Sequence, residues 1–76
     1  MPRVRVRTGA DIGRAIGELR IRRAMTQAEL AEKTGLTPSY LSKIESGRTS
    51  TILEHELRIL RRLGASITIE LRDGSD

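Results

Sequence analysis

Two helix signals that flank a single glycine constrain the fold of this 76-residue chain more than any other feature. Thr26 followed by Glu29 is typical of a capping box, in which a hydroxyl and a carboxylate accept hydrogen bonds from free N–H groups at a helix start. Gly35 is then predicted to end the helix, because glycine readily adopts the left-handed conformation of a C-cap. The sequence therefore predicts a short helix that begins at Gln27 and ends before Gly35.

A second helix is predicted almost immediately afterwards. Thr37 is a favourable N-cap, and Pro38 stands at the first helical position, where its missing N–H is no loss. This helix is predicted to run to about Ser46, where Gly47 ends it. Two helices can cross closely at such a turn only if a small residue lies at the contact, and Ala31 meets that requirement. The apolar residues expected to close a small core around the crossing are Leu30, Leu36, Leu41 and Ile44.

A further helix is predicted upstream of this pair. The capping pattern of Thr8 and Asp11 predicts a helix over about residues 9–24. Glycine recurs in it every four residues, a spacing that matches neither a phosphate loop nor a dinucleotide motif. In a helix this spacing puts Gly13 and Gly17 on one face, so we expect another part of the backbone to pack closely there.

Downstream, a capping pattern at Thr51 and Glu54 predicts a fourth helix that ends near Gly64. Its apolar residues fall within an arc of about 160°, which is broader than one packing face requires and wide enough to serve two partners. They are Ile52, Leu53, Leu57, Ile59, Leu60 and Leu63. Glu56 projects into this arc, and we favour a solvated charge at its edge over an ion pair with an arginine across an interface.

Both ends of the chain alternate between apolar and polar residues, the pattern of a half-buried strand. Residues 3–7 place Val4 and Val6 on one face, and residues 66–72 also have one apolar face. One chain has too few strands for a stable sheet, so we expect residues 66–72 to pair with the same strand of a second subunit. Residues 3–7 are a candidate additional strand in that pairing. The predicted dimerisation residues are Ile67, Ile69 and Leu71.

Composition narrows the class of protein. The 14 Lys and Arg against 10 Asp and Glu give a net charge of +4, which favours a polyanionic partner. The absence of cysteine agrees with a reducing cytoplasm, and no apolar run approaches membrane-spanning length, so we expect a soluble cytoplasmic protein. Catalysis needs nucleophiles or acid–base groups placed in a pocket, whereas the single His55 lies in a charged helical stretch. We therefore expect no enzyme, no catalytic or metal site and no cofactor.

The segments IGELR, TQAELAEKTGLT and SYLSKIESG follow one another in the order and spacing of the first three helices of the lambda-repressor and Cro family, often called Xre-like. Across roughly residues 9–64 the chain resembles that family of DNA-binding regulators. The resemblance implies that the third helix is a recognition helix, whose N-terminal residues lead into the major groove of duplex DNA. The implied DNA-binding residues are Gln27, Thr37, Pro38, Ser39, Tyr40, Ser42, Lys43, Ser46 and Arg48.

The resemblance implies different roles within this set. Gln27 would brace a phosphate and the start of the recognition helix, while Ser46 and Arg48 would bind phosphates. The residues implied to meet base edges are Thr37, Pro38, Ser39 and Lys43, with Tyr40 and Ser42 beside them. Arg20 and Glu45 stand where the family places a structural ion pair that links the first helix to the end of the recognition helix.

Two positions depart from the family. Relatives often carry glutamine where this chain has Pro38 and Ser39, so base recognition would depend on methyl contacts, hydroxyl groups and Lys43. The rival interpretation is a plain helical bundle, in which these polar residues only cap helices and face solvent. Acidic residues in place of Thr37, Ser39 or Lys43 would have favoured the bundle.

The C-terminal segment LRILRRLGASITIELRD resembles the end of HipB-type antitoxins, in which the final strand pairs between subunits. This resemblance implies a homodimer that represses its own operon and holds a HipA-like kinase toxin in check. The alternative is a free-standing regulator of the same fold. A third possibility, a pure protein-interaction module, predicts no salt-dependent affinity for duplex DNA.

We therefore expect a mainly α protein, a four-helix lambda-repressor-like helix-turn-helix domain with short terminal β-strands that pair in a dimer. Its expected function is to repress transcription from a roughly palindromic operator on double-stranded DNA. Residues 1–8 would form a basic arm or strand, 9–64 the DNA-binding domain, 65–72 a dimerisation strand and 73–76 a tail. The sequence leaves open whether the arm contacts DNA, the partner subunit or its own chain.

Overall fold

The computed structural model describes residues 3–72, and the predicted tail at 73–76 lies outside the described residues. Within the described part, four helices and two strands follow one another in the predicted order. They are β1 (Arg3–Val6), α1 (Gly9–Arg22), α2 (Gln27–Thr34), α3 (Pro38–Glu45), α4 (Thr51–Arg62) and β2 (Ile67–Glu70). The predicted fold class, a mainly helical chain with short terminal strands, is confirmed.

Both α2 and α3 start at a threonine whose side chain caps the helix, as the sequence predicts. The backbone N–H of Glu29 donates to the Thr26 hydroxyl at 3.0 Å, and the Thr26 N–H donates to the Glu29 carboxylate at 2.8 Å. At the start of α3, the backbone N–H of Tyr40 donates to the Thr37 hydroxyl at 3.1 Å. These bonds satisfy donors that have no partner inside the helix, so both starts are fixed locally.

The predicted start of α4 was wrong by one residue. Ser50, and not Thr51, is the N-cap, because its hydroxyl accepts a hydrogen bond from the Leu53 N–H at 3.1 Å. The carboxylate of Glu54, which was expected to close a capping box with Thr51, instead accepts a 2.6 Å hydrogen bond from the backbone N–H of Gly9. Serine and threonine are both good caps, so the sequence alone could not choose between these adjacent positions.

The two strands pair with each other and form an antiparallel ribbon within one chain. Val4 lies opposite Ile69 and Val6 lies opposite Ile67, so the apolar rows of both strands share one face. Val6 and Leu71 are only 4% and 2% exposed. The expectation that one chain has too few strands for a sheet was therefore wrong, since each strand supplies the apolar row and hydrogen-bonding edge that the other needs. Pairing of residues 66–72 with a second subunit stays a prediction. The N-terminal arm contacts its own chain.

The middle of α1 packs closely against the end of α3. A β-carbon added at Gly13 would lie 1.9 Å from the carbonyl oxygen of Ile44, and one added at Gly17 would lie 3.1 Å from the carboxylate of Glu45. No side chain fits at Gly13 without moving the backbone of α3. The interpretation of the glycine spacing as a close packing surface is confirmed, and this surface fixes the position of α3.

The turn between α2 and α3 also has the predicted geometry. Gly35 has a φ of 75°, a left-handed conformation that costs glycine little. Ala31 is fully buried and Leu41 is 3% exposed, so the small residue and one apolar residue lie at the helix crossing as expected. Leu36 was predicted to join this core but is 39% exposed, because it lies in the turn itself.

Candidate nucleic-acid interface

One face of α3 is polar and open to solvent. Leu41 is buried on the opposite face, and the first turn of the helix holds no acidic residue. Four of its exposed residues recur at helical spacing, namely Ser39, Ser42, Lys43 and Ser46. A solvent-facing surface of a helix that carries hydroxyl and ammonium donors and no carboxylate suits the acceptor-rich edges of the major groove and the phosphates beside it.

The start of α3 combines capping with exposure. The Thr37 hydroxyl accepts from the Tyr40 N–H, which leaves its own O–H as a donor toward an external acceptor. Pro38 follows as the first helical residue and is exposed. Tyr40 is 54% exposed and lines, together with Lys43 and Arg48, a cleft between α3 and the beginning of α4. The structure thus brings these residues together on one side of the molecule.

The turn after α3 holds Arg48 beside the polar face of the helix. The backbone N–H of Arg48 donates to the Lys43 carbonyl at 3.1 Å, and Gly47 before it has a left-handed φ of 105°. The Ser46 hydroxyl donates to the same Lys43 carbonyl at 2.7 Å. Ser46 therefore lies where a phosphate contact was predicted, but its hydroxyl hydrogen already bonds its own helix. Arg48 is exposed and is the stronger candidate for a phosphate.

Arg20 and Glu45 form a two-pronged ion pair between α1 and the end of α3. Arg20 Nε lies 2.9 Å from Glu45 Oε2, and Arg20 Nη2 donates to Oε1 at 3.0 Å. The two side chains are only 14% and 10% exposed. Arg20 Nη1 also donates to the Met25 carbonyl at 2.7 Å, so the same guanidinium closes the turn after α1. The pair is largely shielded from solvent, and its structural role stays a prediction.

Hydrogen bonds from Arg20 and Gln27 hold the pKa of Glu45 below its ordinary value, with the Arg20 bond the larger cause and burial acting in the opposite direction. The Glu45 bond in turn raises the pKa of Arg20. Gln27 Nε2 donates to Glu45 Oε1 at 3.1 Å, so the first residue of α2 joins the pair. Gln27 was predicted to brace both a phosphate and the start of α3. The structure instead places its amide at the end of α3.

A contact that sequence reasoning missed anchors the loop carrying Arg48. Glu54 Oε2 accepts from the Gly9 N–H at 2.6 Å and from the Thr49 hydroxyl at 3.3 Å. A β-carbon at Gly9 would lie 1.8 Å from that hydroxyl, so the start of α1 presses directly on the loop. The glycine spacing was the available signal, but it could not identify the loop as the neighbour.

Comparison with known proteins agrees with this geometry. A helix-turn-helix family model matches residues 16–69, which runs from within α1 to within β2. The chain belongs to this helix-turn-helix family. An uncharacterized HTH-type transcriptional regulator, y4mF of Sinorhizobium fredii, is 32% identical over 65 residues, which cover 86% of each chain. No solved structure gives a significant match.

The helix-turn-helix membership confirms the family predicted from the three helical segments and identifies a DNA-binding module. The closer resemblance to HipB-type antitoxins stays a prediction. Across residues 3–72, no helix is both long and apolar enough to cross a membrane.

Proposed function

We propose that this helix-turn-helix protein is a sequence-specific transcriptional repressor that binds a roughly palindromic operator as a homodimer. The observation that supports this function best is the way α3 is held. Its buried side is fixed by Gly13 and by the pair of Arg20 and Glu45, while its polar side is exposed and free of acids. A helix held rigidly in this way keeps its exposed side chains in fixed positions relative to the bases that they would contact. The S. fredii relative, described as a transcriptional regulator, supports the same class of function.

Within this proposal, α3 enters the major groove with Thr37, Pro38 and Ser39 leading, and Lys43 meets a base edge. Tyr40 and Ser42 lie beside them. Arg48, at the end of the helix, binds a phosphate and contributes affinity for any sequence. Ser46 and Gln27 contribute to DNA binding only indirectly, because their side chains already form hydrogen bonds inside the protein. Ser46 bonds the backbone at the end of α3, and Gln27 bonds the ion pair that holds α3.

The proposed dimer surface follows from α4. Leu57 lies on the inner side of α4 and is 3% exposed, whereas the outer side of α4 carries exposed apolar residues along one face. These are Ile52, Ile59 and Leu63, which are 72%, 57% and 76% exposed. An exposed apolar stripe of this kind marks an interaction surface. A second copy related by a twofold axis would bury it and would place a second recognition helix on the same side of the dimer.

The burial of the residues predicted to form the dimer favours a smaller role for them in the proposed interface. Leu71 is already buried by its own chain and Ile69 is half-buried, so a partner is not needed to cover them. Ile67 is 37% exposed, and the outer edge of β2 is not paired by β1. Pairing of β2 with the same strand of the partner is compatible with contact between the α4 helices, and we propose α4 as the larger part of the interface.

The antitoxin role is the narrower part of the proposal. It is supported by the resemblance of the C-terminal segment alone, and a free-standing regulator is the alternative. Co-expression with a HipA-like kinase encoded beside the gene separates the two. A stable complex that protects cells from the kinase favours the antitoxin, whereas the absence of such a neighbouring gene or complex favours the free-standing regulator.

The proposal is tested by selecting duplexes from a random library and titrating the best one at several salt concentrations. We expect inverted-repeat sites whose half-sites lie about one helical turn apart, and affinity that falls steeply with salt because several phosphates are neutralised. No enrichment of any sequence, or a flat dependence on salt, would show that the protein is not this kind of repressor.

A further inference from the structure

A cleft lies on the side of the molecule formed by the ribbon and α4. It encloses about 440 Å³, within the size range of small-molecule sites. Its apolar lining comes from both elements and includes Val6, Leu57, Leu60 and Ile67. Val6 and Leu57 are almost completely buried, so the floor of the cleft is part of the packed core. Such a floor can hold an apolar body but gives it no orientation.

The rim of the cleft supplies charge of one sign. Arg5, Arg7 and Arg61 line it, and none of the residues from 3–72 that line it is an aspartate or a glutamate. Among residues 3–72 none of these three guanidinium groups forms an ion pair with a carboxylate. Arg61 Nη1 donates to the carbonyl oxygen of Arg7, which fixes the Arg61 guanidinium across the gap between α4 and the strand. A fixed cation beside an apolar floor is complementary to a ligand with an anionic head.

We propose that this cleft binds a small amphiphilic organic anion, a carboxylate or sulfonate attached to an aromatic or short aliphatic body. The apolar body would lie against Leu57 and Ile67, and the anionic group would bond to Arg61 and Arg5. A DNA phosphate is a poorer match, because it has no apolar part to cover the floor. Arg61 is also near the far end of α4, about 16 Å along the helix axis from Ser50 and the loop that carries Arg48.

The test uses a fluorescent probe of this chemistry, 8-anilinonaphthalene-1-sulfonate, titrated into the full chain without DNA. N-phenyl-1-naphthylamine is the matched uncharged probe, and octanoate and inorganic sulfate are competitors. We expect saturable binding of one sulfonate probe per chain, displacement by octanoate at concentrations at least tenfold lower than by sulfate, and weaker binding of the uncharged probe.

Three variants locate the site. Arg61→Gln and Arg5→Gln should each weaken probe binding about tenfold, and among residues 3–72 Arg5→Gln breaks no ion pair. Arg58→Gln, on the same helix but outside the cleft, is the control and should bind like the unaltered chain. Equal displacement by sulfate and octanoate would mean a simple anion site. Loss of binding in Arg58→Gln alone would place the probe on the outer face of α4. Either result, or an absence of saturable binding, overturns the proposal.

Discussion

The carbonyl oxygen of Ile44 lies so close to Gly13 that a β-carbon at residue 13 would be 1.9 Å from it. Ile44 belongs to the last turn of α3, and Gly13 to the middle of α1. The proposed recognition helix, α3, is therefore positioned by contact between two backbones, which have less freedom to adjust than side chains do. The positions of the residues on the exposed side of α3 are therefore fixed as well.

Gly13→Ala should reverse the usual effect of such a substitution. Alanine in place of glycine inside a helix ordinarily stabilises a protein by about 1 kcal/mol. Here the added methyl group meets a backbone carbonyl, so we expect a loss of about 1–3 kcal/mol and weaker operator binding. Chemical denaturation measures the first and a DNA titration the second. Gly17→Ala is the matched control with a smaller expected loss, since its nearest neighbour is a side-chain atom, a Glu45 carboxylate oxygen at 3.1 Å, which has to give way by only a few tenths of an ångström. Equal stability of Gly13→Ala and the unaltered chain would contradict this account.

Glu45→Gln should cost more than the roughly 0.2–1 kcal/mol of an exposed ion pair, because it leaves the mostly buried Arg20 guanidinium without its anion. For a domain of this size that corresponds to a fall in Tm of more than about 4 °C. Arg22→Gln is the control, since Arg22 pairs with Glu18 on the exposed side of the same helix. An unaltered Tm in Glu45→Gln would refute the structural role of the pair.

The same pair makes stability depend on pH. The lowered pKa of Glu45 means that the unfolded chain takes up a proton at a higher pH than the folded chain does. The stabilisation is therefore complete above the ordinary glutamate pKa of about 4.3 and is lost as the pH falls through the lower folded value. Asp11 and Glu29 also have lowered pKa values, through bonds from backbone N–H groups, and they contribute in the same direction. Glu45→Gln should lose stability less steeply in acid than the unaltered chain, and identical slopes would argue against this linkage.

Local signals were sufficient to predict the helices and the turn. Thr26, Thr37 and Gly35 act on backbone groups within a few residues of themselves, so their patterns survive in the sequence. The pairing of the chain ends could not be predicted in the same way. Val6 and Ile67 are far apart in the chain, and period-2 alternation shows that each strand has an apolar face without showing which strand it meets.

Helical spacing predicted which residues of the candidate site share one side of α3. Lys43 and Arg48 are both exposed and line the same cleft, while their roles in DNA binding stay predictions. Gln27 and Ser46 are in the expected places too, but their side chains bond Glu45 and the Lys43 carbonyl. Which partner such a side chain bonds depends on the groups within a few ångströms of it in the folded chain, and residue spacing gives no information about those groups.

Lys43 and Arg48 should differ in their effects on DNA binding. If Lys43 meets guanine, Lys43→Ala should relax base preference by about 1–3 kcal/mol at one position of each half-site. Arg48→Ala should weaken binding to all sequences alike and reduce the slope of affinity against salt. Titrations of operator and single-base variants at several salt concentrations separate these effects. A Lys43→Ala protein with unchanged base preference would remove Lys43 from the reading face.

Ala24 should be a site of stored strain. It has a φ of 54°, a left-handed conformation that disfavours any residue with a β-carbon, and it follows the C-terminal end of α1. The Met25 N–H bonds back to the Arg20 carbonyl at 3.1 Å and holds the turn in this shape. Ala24→Gly should therefore raise the free energy of unfolding by up to about 1 kcal/mol. Ala28→Gly, inside α2, is the control and should lower it by a similar amount. A loss of stability in Ala24→Gly would contradict the assignment of strain.

Dimerisation should depend on the outer face of α4 more than on the folding of one chain. Ile59 is 57% exposed, so Ile59→Asp should change the stability of the isolated subunit little, whereas it would place two carboxylates against the apolar stripe of a dimer. We expect this variant to sediment as a monomer at micromolar concentration and to bind the operator far more weakly. Ile69→Asp is the informative comparison, because Ile69 lies half-buried opposite Val4 and its replacement should also lower Tm. Truncation after Gly64 removes the buried Leu71 and should destabilise the chain in the same way. An Ile59→Asp protein that remains dimeric would place the interface elsewhere, and a folded monomer that keeps full operator affinity would separate DNA binding from dimerisation altogether.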